Sequence, residues 1–170
     1  STTYKRTQGT KVTVTDPSGV NNSTLRYVWT QSTSQPIDSE FNGIYENNSV
    51  VSNSKDTGNN WYLWVVAKDL QGNTTYKRTE AFYLDNTLPT APTITSNAQN
   101  NIYTKDNASI TVNGSTALSG IARYQYSLDN GISWNNADPT GKVVIEKSGR
   151  YQIKARAVNN VGTIGRVSDT

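Results

Sequence analysis

The chain has 170 residues, a formal net charge of +3, a pI near 9.1, and no cysteine, methionine or histidine. Those absences exclude disulfides, thiolate chemistry, imidazole bases and the commonest transition-metal ligands. With 34% hydrophobic and 17% charged residues, and polarity carried by Asn, Ser and Thr, the composition is that of a folded, β-rich chain of one to two domains.

Lys and Arg are scattered and form no dense run or stripe, so nucleic acid is not an expected partner. No stretch approaches the ~20 apolar residues that span a bilayer, and membrane insertion is not expected. The first residues carry neither a basic start nor an apolar signal core, which reads as mature or excised sequence. Asn-x-Ser/Thr triplets, as at Asn73 and Asn107, arise by chance in a chain this rich in those residues.

Period-two alternation bounded by Gly, Pro, Asn and Asp predicts strands near 2–7, 11–15, 25–30, 41–45, 49–53, 61–68 and 74–84. After Asp85-Asn86-Thr87-Leu88-Pro89-Thr90-Ala91-Pro92, a joint whose two prolines remove donors and favour extended backbone, further strands are predicted near 93–96, 109–113, 122–128, 132–135, 142–147, 150–158 and 163–168. No segment has a helical period. Asp129-Asn130-Gly131 between two β-like runs is a tight-hairpin signal, because Asn and Gly accept positive φ.

The two halves repeat one pattern. Ser18-Gly19-Val20 precedes Arg26-Tyr27-Val28-Trp29 as Ser119-Gly120-Ile121 precedes Arg123-Tyr124-Gln125-Tyr126, with Arg26 and Arg123 offset by 97 residues. Trp61-Tyr62-Leu63-Trp64-Val65-Val66-Ala67 matches Tyr151-Gln152-Ile153-Lys154-Ala155-Arg156-Ala157, with Trp61 and Tyr151 offset by 90, and the two blocks run on to Gly72 and Gly162. The expected architecture is all-β: two tandem immunoglobulin-like sandwiches, residues 1–88 and 89–170, joined by a short proline-containing, semi-rigid linker. Thr2-Thr3-Tyr4-Lys5-Arg6-Thr7 recurs as Thr74-Thr75-Tyr76-Lys77-Arg78-Thr79, which fits either a piece of a longer array or reuse of a β-favourable string.

Tyr126-Ser127-Leu128-Asp129-Asn130-Gly131 with Trp134, then Gly149 to Ala157 with Gly162, and the joint Leu84 to Pro92, resemble the bacterial Ig-like repeats of Gram-positive surface and secreted proteins. That resemblance implies an extracellular, monomeric spacer whose partners are neighbouring domains of its own polypeptide. Related folds also occur in phage-tail decoration domains. Some Gram-positive stalk domains carry a Lys–Asn isopeptide bond, for which Lys11, Lys105, Asn86 and Asn159 are nominated, although the strings diagnostic of those domains are missing.

Alternation places Tyr151, Ile153, Ala155 and Ala157 inward, and by alignment Trp61, Leu63, Val65, Ala67, Tyr27 and Trp29. The outward places filled by Gln152, Lys154 and Arg156 in the second copy hold Tyr62, Trp64 and Val66 in the first. With Val28 and Tyr76, Tyr62 and Trp64 form a candidate aromatic face for a host or cell-wall glycan or a surface protein. The competing reading is that the connection 31–54, or the adjacent domain, folds over it. Asp16, Asp69, Asp85 and Asn86 are candidate calcium ligands by their oxygen chemistry, and turn formers on the simpler reading. The acids Asp38, Glu40, Glu46, Asp56, Glu80, Asp129, Asp138 and Glu146 lie mostly in predicted turns or at strand ends, and without a cleft or a histidine base no catalytic site is expected.

Overall fold

A computed structural model describes residues 3–98 and 107–168. The chain divides into two compact units, Ser1–Asn86 and Thr87–Thr170, and both are antiparallel β-sandwiches.

In the first unit the strands are β1 (Gln8–Val12), β2 (Val20–Thr30), β3 (Gly43–Ile44), β4 (Ser49–Asn53), β5 (Gly58–Asp69), β6 (Thr74–Arg78) and β7 (Phe82–Leu84), with one turn of 3-10 helix at Asp38–Glu40. One sheet is β1 with β4; the other runs β3-β2-β5-β6, with β7 also on β5. Between them pack Val12, Leu25, Tyr45, Val51, Leu63 and Ala67, flanked by Tyr27, Trp29 and Val65.

The second unit is built from β8 (Thr93–Ser96), β9 (Ala108–Asn113), β10 (Ile121–Ser127), β11 (Asn135–Asn136), β12 (Lys142–Ile145), β13 (Lys154–Asn159) and β14 (Ile164–Val167). Its sheets run β12-β9-β8 and β11-β10-β13-β14. Ile110, Val112, Val143 and Ala155 are buried between them, with Ile94, Tyr124, Tyr126 and Ile153 packed alongside. Of the residues read as inward, Tyr27, Trp29, Leu63, Val65 and Ala67 lie in or against the first core and Ile153 and Ala155 in or against the second, whereas Trp61 and Tyr151 belong to neither: Trp61 lies opposite Phe82 of β7, and Tyr151 precedes β13, its hydroxyl donating to Lys147 O at 2.7 Å.

The hairpins that follow β5 and β13 are built alike. Asp69 N–H donates to Asn73 O, and Asn159 N–H to Thr163 O, each at 3.1 Å. The side-chain oxygen of Asp69 accepts the N–H groups of Gln71 and Asn73, as that of Asn159 accepts those of Val161 and Thr163. The 90-residue offset of these blocks is therefore structural.

The 97-residue offset of the earlier block is corrected by the ladders. Tyr27 pairs with Val65, and Val65's counterpart Ala155 pairs with Tyr126, not Tyr124. Tyr27 therefore corresponds to Tyr126, and Leu25 to Tyr124. The cause is a larger bulge in β2: from Asn21 to Arg26 on β2 the partner strand advances only from Lys68 to Val66, whereas from Ile121 to Arg123 it advances from Asn159 to Val158. Thr24 holds the bulge, its hydroxyl accepting Lys68 N–H at 3.0 Å and donating to Asn21 O at 2.7 Å. The difference is two residues, one strand period, so every side chain keeps its face.

Other boundaries shift for local reasons. The strand expected over 74–84 breaks at Thr79, whose hydroxyl accepts Leu63 N–H while its own N–H donates to Leu63 O, both at 3.0 Å. Of the strand expected over 2–7, Thr2 lies outside the described residues, and Lys5 makes a parallel bridge to Leu84. Asn130 and Gly131 have the expected positive φ, 62° and 91°, but the connection from β10 to β11 spans residues 128–134 and is organised by Asp129. The joint is largely taken up by the units: Asn86 bonds Thr57, Arg6 and Asp56, while Pro89 O accepts Arg166 N–H and Thr90 N–H donates to Thr116 O.

Candidate functional site

The outer face of β5 does gather the aromatic residues read from the sequence. Val28, Trp64 and Val66 lie side by side through the pairings Val28–Trp64 and Val66–Tyr76, and Tyr62 and Tyr76 pack against the same cluster. Its centre is not open. Phe41, from the connection between β2 and β3, caps the cluster and leaves Phe41, Trp64 and Val66 at 6%, 9% and 8% exposure. Phe41 meets the Tyr76 ring at 5.7 Å.

Polar contacts fasten this cover. Tyr76 Oη donates to Asp38 at 2.5 Å, Trp64 Nε1 to Ser32 O at 3.4 Å, and Arg78 Nη1 to Thr33 O at 3.4 Å. The Asp38 bond also raises the Tyr76 phenol above its ordinary pKa. Glu40 accepts the N–H of Ile37 at 2.9 Å and so closes the 3-10 turn. The Arg78 guanidinium lies over the rings of Tyr62 and Trp64, 4.7 and 5.9 Å from their centres. The four residues proposed as an open platform thus form a second, smaller core under the chain's own 31–42 segment, with Tyr62, Val28 and Tyr76 half-buried at its margin.

The second unit treats the equivalent face in the same way with different chemistry. Arg156, the counterpart of Val66, lies 4.0 Å beneath the ring of Trp134, and its Nε donates to Gln125 at 2.9 Å. Burial there lowers the guanidinium pKa. Trp134 comes from the connection after β10, as Phe41 comes from the one after β2. Sequence reasoning missed both caps as caps; the available signal was a lone large aromatic in an otherwise polar connection.

The candidate calcium ligands do not converge. Asp16 and Asp69 sit at the end of the first unit where β5 finishes, Asp85 and Asn86 at the end where it starts, twelve residues away along one strand. Asp16 accepts the N–H and hydroxyl of Ser18 in a turn. Asp69 is held below the usual carboxylate pKa, first by the Asn73 side chain and then by turn amides. Asn86 spends its amide on the carbonyls of Arg6 and Asp56. Among the described residues no group of three or more Asp, Glu, His or Cys side chains that could hold a metal ion lies together.

Of the isopeptide candidates, Lys105 lies outside the described residues. Lys11 is exposed on β1, and the Asn86 amide is engaged as above. The other acids also work locally. Asp129 accepts bonds from the hydroxyls of Ser127 and Ser133 at 2.6 Å each and from Ser133 N–H at 2.9 Å, and these hold its pKa at about 2. Asp138 is likewise lowered, first by Thr140 and then by Lys142 N–H. Asp56 accepts from the Asn53 amide at 2.8 Å.

No family model and no curated protein matches the chain. Among solved structures it is similar to the fibronectin(III)-like modules of Clostridium thermocellum CbhA, with a TM-score of 0.40 and 13% identity over 97% of this chain and 83% of that one. A likeness this loose says nothing about ligand or activity.

Proposed function

We propose that the two units are non-catalytic structural modules that space neighbouring domains of a bacterial cell-surface or secreted protein. The observation that carries this reading is that the same outer face is closed in both units by an aromatic from their own chain, Phe41 over Trp64 and Trp134 over Arg156. A module selected for binding keeps such a face open. The carboxylates point the same way, because Asp16, Asp69, Asp129 and Asp138 are spent on turns and are not aimed together at a substrate.

In this reading the work is mechanical: each sandwich resists extension through its own ladders. The test is a binding screen of the 170-residue chain against a glycan array and bacterial wall fragments, alongside Trp64→Ala. No retained ligand is expected. Specific binding that Trp64→Ala abolishes would replace the spacer reading with recognition through Tyr62, Trp64, Val28 and Tyr76.

A further inference from the structure

Three Asn-Gly pairs are present, Asn42-Gly43, Asn113-Gly114 and Asn130-Gly131. In such a pair the glycine nitrogen can close on the asparagine side-chain carbonyl to form a five-membered succinimide, because the glycine has no side chain to crowd the approach. The reaction needs a glycine N–H that is free to turn and to lose its proton, and a side-chain carbonyl made electrophilic. The fold treats the three pairs differently.

Two of them are locked. Gly131 N–H donates to Ser127 Oγ at 2.7 Å and Asn130 N–H to Gln152 O at 2.9 Å, with Asn130 held at φ 62°. Gly43 lies in β3 opposite Tyr27. Tyr45 N–H donates to Leu25 O at 3.5 Å, and antiparallel bonding repeats at every second residue, so Gly43 N–H donates to Tyr27 O. The Tyr27 ring is packed on the same glycine: a Cβ added to Gly43 would lie 2.4 Å from Cζ. A nitrogen that already donates a hydrogen bond keeps its proton and its place.

Asn113-Gly114 stands at the open end of β9, where Thr93–Asn113 is the last rung of the β8–β9 ladder. Both residues are exposed. Gly114 has φ 83°, and among the described residues its N–H has no partner, whereas the next amide, Ser115 N–H, donates to Tyr124 Oη at 3.3 Å. The carbonyl is activated as well. Thr93 Oγ1 donates to Asn113 Oδ1 at 2.9 Å, and it lies 3.2 Å from where a Cβ on Gly114 would be. Hydroxyl, side-chain carbonyl and glycine are thus gathered in one place. A donor on Oδ1 stabilises the oxyanion that forms there when the carbonyl is attacked.

We propose that Asn113 is a site of spontaneous deamidation, with Gly114 N as the nucleophile and the Thr93 hydroxyl as the activating donor. Gly114 N gives its proton to water and bonds to Asn113 Cγ, which places the negative charge on Oδ1. The carbonyl re-forms as the Cγ–Nδ2 bond breaks, and Nδ2 takes a proton from water and leaves as ammonia. A second water opens the succinimide at either carbonyl, giving aspartate or isoaspartate. One water is consumed and one ammonia released. Either product puts a carboxylate beside Thr93, and isoaspartate adds one carbon to the backbone where β9 ends.

The test incubates the 170-residue chain at 37 °C and follows its digest by peptide mass, with isoaspartate read by an isoaspartyl methyltransferase. The peptide carrying Asn113 is expected to gain one mass unit at least tenfold faster than those carrying Asn42 and Asn130, at a rate that rises from pH 7 to pH 9. Thr93→Ser keeps the hydroxyl and is expected to keep the rate, whereas Thr93→Val is expected to slow it at least threefold. Conversion of Asn42 or Asn130 as fast as Asn113 in the folded chain overturns the proposal. So does an unconverted Asn113 over a period in which the guanidinium-unfolded chain converts, or a Thr93→Val chain that converts as fast as the parent.

Discussion

The side chain that decides how the first unit behaves is Phe41. It covers Trp64 and Val66 from a connection that otherwise carries mostly polar residues, and a buried phenylalanine cut to alanine costs about 3 kcal/mol or more. Phe41→Ala is therefore expected to lower the stability of the first unit by about that amount in denaturant unfolding. In a variant keeping Trp64 but carrying Trp29→Phe, Trp61→Phe and Trp134→Phe, acrylamide is expected to quench weakly, and strongly once Phe41→Ala is added. Strong quenching before that change would mean the face is open. Asp129 sets a different dependence. Its folded pKa of about 2 lies below the ordinary aspartate value near 3.9, so the stability it lends is complete above pH 4 and lost as pH falls through 2. Asp129→Asn is expected to lower the melting temperature of the second unit at pH 7, with the gap to the parent chain closing between pH 4 and pH 2.

At the scale of elements, the β2 bulge is a clean case of a period constraint. Deleting Asn22 and Ser23 together shortens the bulge by one full strand period, to the length found in β10, and is expected to leave the first unit folded with its tyrosine signals in place. Deleting Ser23 alone either flips the β2 side chains, bringing Val28 to the inner face and Tyr27 and Trp29 to the outer one, or breaks the ladder, and is expected to abolish that unit's cooperative unfolding transition. The same period explains what was legible in the sequence. Alternation assigned the inward residues from Leu63 to Ala67 and from Ile153 to Ala155, though not Trp61 and Tyr151 at the start of each block, and the Gly72 and Gly162 turns locked their register. The offset of the earlier block was misread because Arg-Tyr recurs two residues out of step and a two-residue error changes no face. The break at Thr79 was invisible because a hydroxyl standing in for ladder geometry leaves no mark on hydrophobic pattern. The four aromatic-face residues were found together correctly, but their cover was left open between two readings, since a single Phe in a polar connection does not announce where it lands.

Across the whole molecule, each unit has its own core and its own sheets, and the residues of the joint are mostly bonded within one unit or the other. If the work of the chain is mechanical, this autonomy is its physical basis. Single-molecule extension of the 170-residue chain between end tethers tests it most directly. Given a reach of roughly 3.3–3.6 Å per residue, the account predicts two separate unfolding steps, each lengthening the chain by about 250–300 Å, with Phe41→Ala weakening one of them and leaving the other as it was. A single step releasing about twice that length, or a Phe41→Ala variant in which both steps weaken together, would contradict it.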